Sequence, residues 1–169
     1  GARTGSETTA AAAGRSGELR RDPMSMLPFC GYNMGDYFRH WTNIGRLCSR
    51  PPRVYAVNWF RVDENGRFIW PGFGDNIRVL KWIIDRVNGR AGARETPLGL
   101  VPELKDLHLE GLGIPKEKME MLFEIDEAGW QSELQDIKKF LERFGPRLPY
   151  EIRNEFNALA AGLHSPERL

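Results

Sequence analysis

From Asn33 to Leu47 the apolar positions Met34, Tyr37, Phe38, Trp41 and Ile44 recur at the three- and four-residue spacing of an α-helix. Asn33 stands where an N-cap belongs and Gly45 falls near the far end, so the spacing predicts a helix over 33–48. His40 lies beside this stripe with no Asp, Glu or Cys at metal-ligand spacing, and it reads as a structural residue. After the breaker Pro51-Pro52 the pattern changes: VYAVNWF at 54–60 and FIW at 68–70 are β-branched and aromatic, with Asn65-Gly66 between them. That predicts an antiparallel hairpin whose Asn-Gly pair takes up the positive φ values of a tight turn. Pro71 and Gly72 end the second strand. A helix should then start near Asp75 or Asn76, bury Leu80, Ile83, Ile84 and Val87, and stop at Gly89.

Residues 89–102 read as a connection punctuated by Pro and Gly, and 103–169 as a helical region. Within it MEMLFEI at 119–125 predicts a short helix. Trp130, Leu134, Ile137, Leu141 and Phe144 form one stripe ended by Gly145-Pro146, and Ile152, Phe156, Leu159 and Leu163 form another behind Pro149. No internal repeat is visible. At the start, two readings compete. Thr4 and Glu7 have capping-box spacing and lead into Ala10–Ala13 and Gly14, which suits a short helix. The same small side chains, with Gly5, Gly14 and Gly17, suit a lid that folds over a ligand without bulk. The elements together predict an α/β chain of mixed α+β type, with a small antiparallel hairpin and several peripheral helices.

Composition narrows the class. The chain has 169 residues, 41% hydrophobic and 28% charged, with no apolar run near the ~18 residues a bilayer crossing needs. A soluble single domain or partial domain is expected, and no membrane partner. The net charge of +1 conceals an asymmetry, because residues 1–100 carry 15 Lys/Arg against 9 Asp/Glu and residues 101–169 carry 9 against 14. An anionic ligand should favour the first hundred residues. Cys30 and Cys48 make neither a metal pair nor a disulfide framework, so buried free thiols in a reducing, cytoplasmic compartment are expected. The opening GARTGSETTAAAAGRSG contains Glu7 and lacks Leu, Ile and Phe, unlike a secretory or transit segment. It also lacks an initial Met, which suggests a piece of a longer chain.

The chemistry concentrates in NWFRVDENGRFIWPGFGDN, residues 58–76, with five aromatic side chains, a turn and a helix start. Trp59, Phe60, Phe68, Trp70 and Phe73 could all fill a core. Strand alternation argues against it, since Trp59 and Phe60 must point to opposite faces. Aromatic faces brought together by a hairpin can hold a planar base by stacking, worth about 1–3 kcal/mol per base. Stacking alone does not distinguish guanine from adenine. Hydrogen-bonding groups at the base edge would be needed, and the backbone of Gly74 and Asp75 and the amide of Asn76 are the candidates.

This run, preceded by RRDPMSMLPFCGYNMGDYFRHW and GSETTAAAAG and followed by ARETPLGLVP, closely resembles the C-terminal part of GTP-dependent phosphoenolpyruvate carboxykinase, over essentially all 169 residues. The resemblance implies a portion of a lyase of gluconeogenesis that converts oxaloacetate and GTP to phosphoenolpyruvate, CO2 and GDP. It implies a guanine pocket of Phe60, Phe68 and Phe73 with Trp59 alongside, and a nucleotide-contact tetrad Phe73-Gly74-Asp75-Asn76. It also implies that Ser6, Glu7, Thr8, Thr9, Ala10, Ala11, Ala12, Ala13 and Gly14, within a segment reaching Gly17, form an active-site lid that shields a reactive enolate from water. That favours the lid over the plain helix. Gly5 stands where other members carry Arg. The implied organisation is a lid-like segment at 1–17, a helix at 33–48, a guanine-pocket hairpin and helix at 54–88 and a helical region at 103–169.

No G-x-x-x-x-G-K-[ST] loop and no His/Asp/Lys metal cluster occur in the sequence. The resemblance accordingly implies that the divalent metal, Mn2+ or Mg2+, and the catalytic groups belong to residues outside this segment. GTP or GDP is then the ligand, the partners are small-molecule substrates and the upstream half of the same enzyme, and the segment alone is expected to be monomeric and inactive. The other reading of the aromatic hairpin is a non-catalytic module for nucleotides or single-stranded nucleic acid, using Arg53, Arg61, Arg67 and Arg78 beside the rings. A net charge near zero and an acidic final third speak against it, so no nucleic-acid partner is expected.

Overall fold

The computed structural model of the chain describes Arg3–Thr4, Leu19–Arg20 and residues 26–169. In chain order the elements are β1 (Arg3–Thr4), β2 (Leu19–Arg20), α1 (Met34–Leu47), α2 (Asn76–Val87), β3 (Arg94–Thr96), β4 (Gly99–Val101), α3 (Lys116–Met121), α4 (Glu127–Glu142) and α5 (Tyr150–Gly162). Among the described residues the architecture is mixed α+β: five helices and two antiparallel two-stranded ribbons, β1 with β2 and β3 with β4. The chain divides into two compact units, one of Gly1–Pro51 with Glu127–Leu169 and one of Pro52–Asp126.

In the first unit the apolar stripes do what their spacing predicts. Met34 and Phe38 of α1 are buried, as are Leu134 and Leu141 of α4, Phe156 and Ala160 of α5, and Phe144, Leu148 and Leu163. The rings of Phe38 and Phe140 each meet Phe144 edge-on, at centroid distances of 5.3 and 5.1 Å, a geometry that aligns ring edge with ring face. Asn33 caps α1 by accepting a hydrogen bond from Gly35 N at 2.8 Å, and its amide donates to the Phe144 carbonyl at 3.3 Å. One side chain thus satisfies a free helix-end donor and ties α1 to the residues after α4. His40 is exposed, as is Ile44 at the end of the stripe. Thr4 lies in β1, paired with Leu19, and so is not a helix N-cap. The remainder of the predicted capping box and the whole of Ser6–Gly14 lie outside the described residues.

In the second unit Trp70, Trp82, Leu107 and Met119 form the core, with Tyr55, Trp59, Val79 and Ile83 packed against it. Three sequence expectations change here. The hairpin shrinks to one bridge, Val62 to Phe68, with Asp63 N donating to the Arg67 carbonyl and Ile69 N to the Arg61 carbonyl. Upstream, Asn58 Oδ1 captures Phe60 N at 3.0 Å, a side-chain bond that takes a backbone donor away from any ladder. The turn also differs, since of Asn65-Gly66 only Gly66 has positive φ, at 72°. It is a one-turn connection closed by Gly66 N to the Asp63 carbonyl, with glycine in the left-handed position after it.

The second change is the ribbon β3–β4, inside what reads as a plain connection. Three-residue strands are too short to show a period of two. The ribbon is closed by side-chain bonds from Thr96, whose Oγ1 donates to the Gly99 carbonyl at 2.7 Å and accepts from Leu98 N at 3.2 Å. The third change concerns α2, which buries Trp82 and packs Val79 and Ile83 on the core, whereas Leu80, Ile84 and Val87 are exposed. The helix near 119–125 begins earlier, at Lys116 behind Pro115, and ends at Met121.

Gly35 offers a clean test of the first unit. A Cβ on it would sit 2.6 Å from the Arg147 carbonyl oxygen and 2.9 Å from Asn33 Oδ1, backbone and cap that cannot rotate away. Gly35→Ala should destabilise the chain by about 1–3 kcal/mol, the range for forced overpacking, despite alanine's higher helix propensity. Thermal unfolding of Gly35→Ala beside Gly45→Ala, where nothing lies within 4 Å, separates the two effects.

Candidate functional site

The second unit presents its aromatic residues on two sides of the backbone. Trp59 is half-buried against the core, while its neighbour Phe60 is exposed. The Phe60 ring meets that of Phe68 at 5.9 Å between centroids, with an interplanar angle of 59°. The bridge beside this pair is what brings the two rings together. Phe73 stands apart, 98% exposed, with no ring partner among the described residues. Its φ of 40° follows Gly72 at φ 78°. A phenylalanine in this region carries strain of order 1–3 kcal/mol, so the surrounding turn must hold it there. Asp75 N donates to the Gly72 carbonyl at 3.1 Å, and α2 starts immediately afterwards.

Asn76 is oriented by a residue that sequence reasoning placed only among the aromatics. The indole N–H of buried Trp70 donates to Asn76 Oδ1 at 2.8 Å. That bond fixes the plane of the Asn76 amide and leaves its two N–H groups available as donors. The available signal was the rule that a buried indole N–H needs a partner, but five intervening residues hide which one. Asp75 is also engaged, accepting from Arg78 Nε at 2.8 Å, while Arg78 further donates to the His108 carbonyl. Gly74 is exposed, with open space around its α-carbon.

Three of the four arginines named for strand binding are committed within the unit. Arg61 donates to the carbonyl of Glu124 at 2.7 Å, Arg67 lies 3.6 Å from the Asp63 carboxylate, and Arg78 is held as above. Among the described residues no group of three or more His, Cys, Asp or Glu could hold a metal ion. The described side chains therefore do not fit a divalent-metal centre. Cys30 is half-buried and Cys48 exposed, so the expectation of two buried thiols is corrected. Cys48 follows α1 where the chain leaves the helix surface.

The chain matches the family model described as the phosphoenolpyruvate carboxykinase C-terminal P-loop domain over residues 1–162. It belongs to the GTP-dependent phosphoenolpyruvate carboxykinase family. A relative from Thermoplasma volcanium, named phosphoenolpyruvate carboxykinase [GTP], is 50% identical over 156 residues, covering 92% of this chain and 26% of the relative. Relatives of the same name from Paenarthrobacter aurescens and Chlamydia abortus are 47% and 48% identical, over 96% and 92% of this chain. The chain spans about a quarter of the length of these carboxykinase relatives. No helix among the described residues is long and apolar enough to cross a membrane.

The turn that carries Phe60 and Phe68 depends on a charge. Asp63 has a side chain only 1% exposed, and it accepts from Lys118 Nζ at 2.7 Å and from the backbone N–H groups of Asn65 and Arg67 at 3.0 Å each. The Lys118 bond, then the Arg67 N–H, hold its carboxyl at about 2, below the ordinary 3.8. The unfolded chain therefore takes up this proton first as pH falls. The stabilisation is complete above about pH 3.8 and disappears as the pH drops through about 2. Asp63→Asn should lower stability at neutral pH and flatten the loss between pH 4 and 2, read from denaturant midpoints across that range.

Proposed function

We propose that residues 58–76 hold the guanine base of GTP in a phosphoenolpyruvate carboxykinase, and that Ser6–Gly17 closes over the substrates as a lid. The observation that carries the base site is the bond from Trp70 to Asn76 Oδ1 beside exposed phenyl rings. An exposed ring held at strained φ has no folding benefit of its own, whereas a ring that stacks on a purine does. Phe60, Phe68 and Phe73 supply the stacking surface, with Trp59 behind it, and Gly72 and Gly74 leave the backbone on either side of Phe73 free of side chains. The Asn76 amide, with its oxygen occupied, offers donors to the acceptor O6 of guanine. Adenine presents its N6 amino donor at the equivalent place. The unpaired donors that adenine would leave are the basis of discrimination.

Within the reaction these residues bind and orient. The enzyme would decarboxylate oxaloacetate to an enolate and transfer the γ-phosphoryl group of GTP to the enolate oxygen, giving phosphoenolpyruvate, CO2 and GDP. Holding the base fixes the position of the phosphates at the other end of the nucleotide. The phosphate loop, the divalent metal and the catalytic groups would come from residues outside 1–169. The lid reading is supported at its ends, because the pairing of Thr4 with Leu19 brings both sides of the intervening segment together, as a compact closing loop requires. Its role would be to exclude water from the enolate.

In the intact enzyme, Phe73→Ala and Asn76→Ala should each raise the KM for GTP about tenfold, as loss of one stacked or hydrogen-bonded base contact predicts. The KM for oxaloacetate should stay within about twofold. Equal increases for both substrates would refute the base site. Trp70→Phe keeps most of the buried ring but removes the indole N–H, so it should narrow the preference for GTP over ATP while far-UV circular dichroism stays native. An unchanged nucleotide preference would mean that Trp70 does not position Asn76.

A further inference from the structure

The apolar arc of α2 is wider than its contact with the core. At 100° per residue, Val79, Trp82 and Ile83 point to one side and meet the core of the second unit. Ile77, Leu80, Ile84 and Val87 fall on another side, spaced 3, 4 and 3 residues apart. These four are between 45% and 62% exposed. The polar residues Arg78, Lys81, Asp85 and Asn88 line the opposite wedge, while Asn76 and Arg86 interrupt the apolar arc, Arg86 donating to the Ala91 carbonyl at 3.3 Å. That wedge is already organised, since Lys81 and Arg90 pair with Asp85 at 2.5 and 2.9 Å. Apolar positions thus cover roughly 220° of the circumference, far more than a helix lying on one core needs. A helix apolar on most sides is one that is covered on more than one side.

We infer that the Ile77/Leu80/Ile84/Val87 face of α2 docks against the part of the carboxykinase polypeptide that lies outside residues 1–169. The occupant follows from length. About three-quarters of each relative falls outside the matched region, and the matched region is a C-terminal one, so a large preceding portion is available to cover this stripe. Charge points the same way: the face carries no ionic side chain, which suits a permanent intrachain contact better than a transient polar one. The stripe begins at Ile77, directly after Asn76, so the covered surface would run up to the edge of the base site. The inference rests on the family and on the exposure of α2 and is independent of the nucleotide reading.

The test compares the same substitutions in two settings. The first is the 169-residue chain, where Leu80→Glu and Ile84→Glu exchange exposed side chains and should leave the unfolding midpoint within about 2 °C. The second is a chimera in which this chain replaces its counterpart in the Thermoplasma volcanium relative. There each substitution should lower the midpoint by 5 °C or more, and hydrogen exchange at α2 should slow at least tenfold relative to the chain alone. Lys81→Glu, on the polar wedge, should be mild in both. As a second measurement, the uncovered portion of that relative, expressed separately, should bind the chain, and Ile84→Glu should weaken binding at least tenfold. Equal effects of the substitutions in both settings would overturn the inference. So would a chain that dimerises through this stripe, or one that binds the uncovered portion no better than Ile84→Glu does. GTP binding is not among the readouts, so failure here is distinguishable from failure of the base site.

Discussion

A buried indole needs a partner for its N–H, and for Trp70 that partner is the side-chain oxygen of Asn76, 2.8 Å away. This bond joins the core of the second unit to the exposed turn at Phe73. Between the two residues the chain passes through Pro71, through Gly72 at φ 78° and through Phe73 at φ 40°. Such a path is costly for a phenylalanine. It persists because both ends are anchored: Trp70 among Trp82, Leu107 and Met119, and Asn76 as the first residue of α2. The ring of Phe73 is thereby directed outward by backbone geometry, without side-chain packing, and the Asn76 amide keeps one orientation. Preorganisation of this kind lets a binding site spend little on ordering when its ligand arrives.

Asp63 plays the corresponding part on the other side of the site. Its carboxylate collects two backbone N–H groups and the ammonium of Lys118, so a nearly enclosed charge is fully hydrogen-bonded. A charge in that position would be destabilising if unpaired. Paired, it replaces the long strand ladder that the aromatic run suggests, and it sets the register at which Phe60 and Phe68 meet. The exposed phenyl pair therefore depends on electrostatics in a turn more than on sheet formation.

The two faces of α2 place these local devices in a larger frame. One face completes the core, and the other carries four aliphatic side chains into the surface. The chain corresponds to about a quarter of its carboxykinase relatives, and two groups of exposed apolar residues in the second unit differ in arrangement. Phe60 and Phe68 are exposed beside one turn and Phe73 in the next, in an irregular arrangement. Ile77, Leu80, Ile84 and Val87 are exposed in helical register, in the regular arrangement of a packing face.

Much of the fold is legible in the residue pattern. The stripes of α1, α4 and α5, the cap at Asn33, the stop at Gly145-Pro146 and the helix start after Asp75 all follow from spacing and breakers, because they are local and repeat every three to four residues. The aromatic run at 58–76 and the family are likewise written in the order of residues. What only the tertiary structure decided are the long-range partners: Trp70 for Asn76, Lys118 for Asp63, and Val79, Trp82 and Ile83 as the inward side of α2. Periodicity reports that a helix face is apolar but not what covers it, so the outward stripe of α2 read as its buried one. The hairpin is shorter than its aromatic run suggests for a related reason, since Asn58 takes the Phe60 N–H locally and leaves one antiparallel bridge. Hydrogen-bond partners are chosen by distance in space, and that choice exists only once the chain has folded.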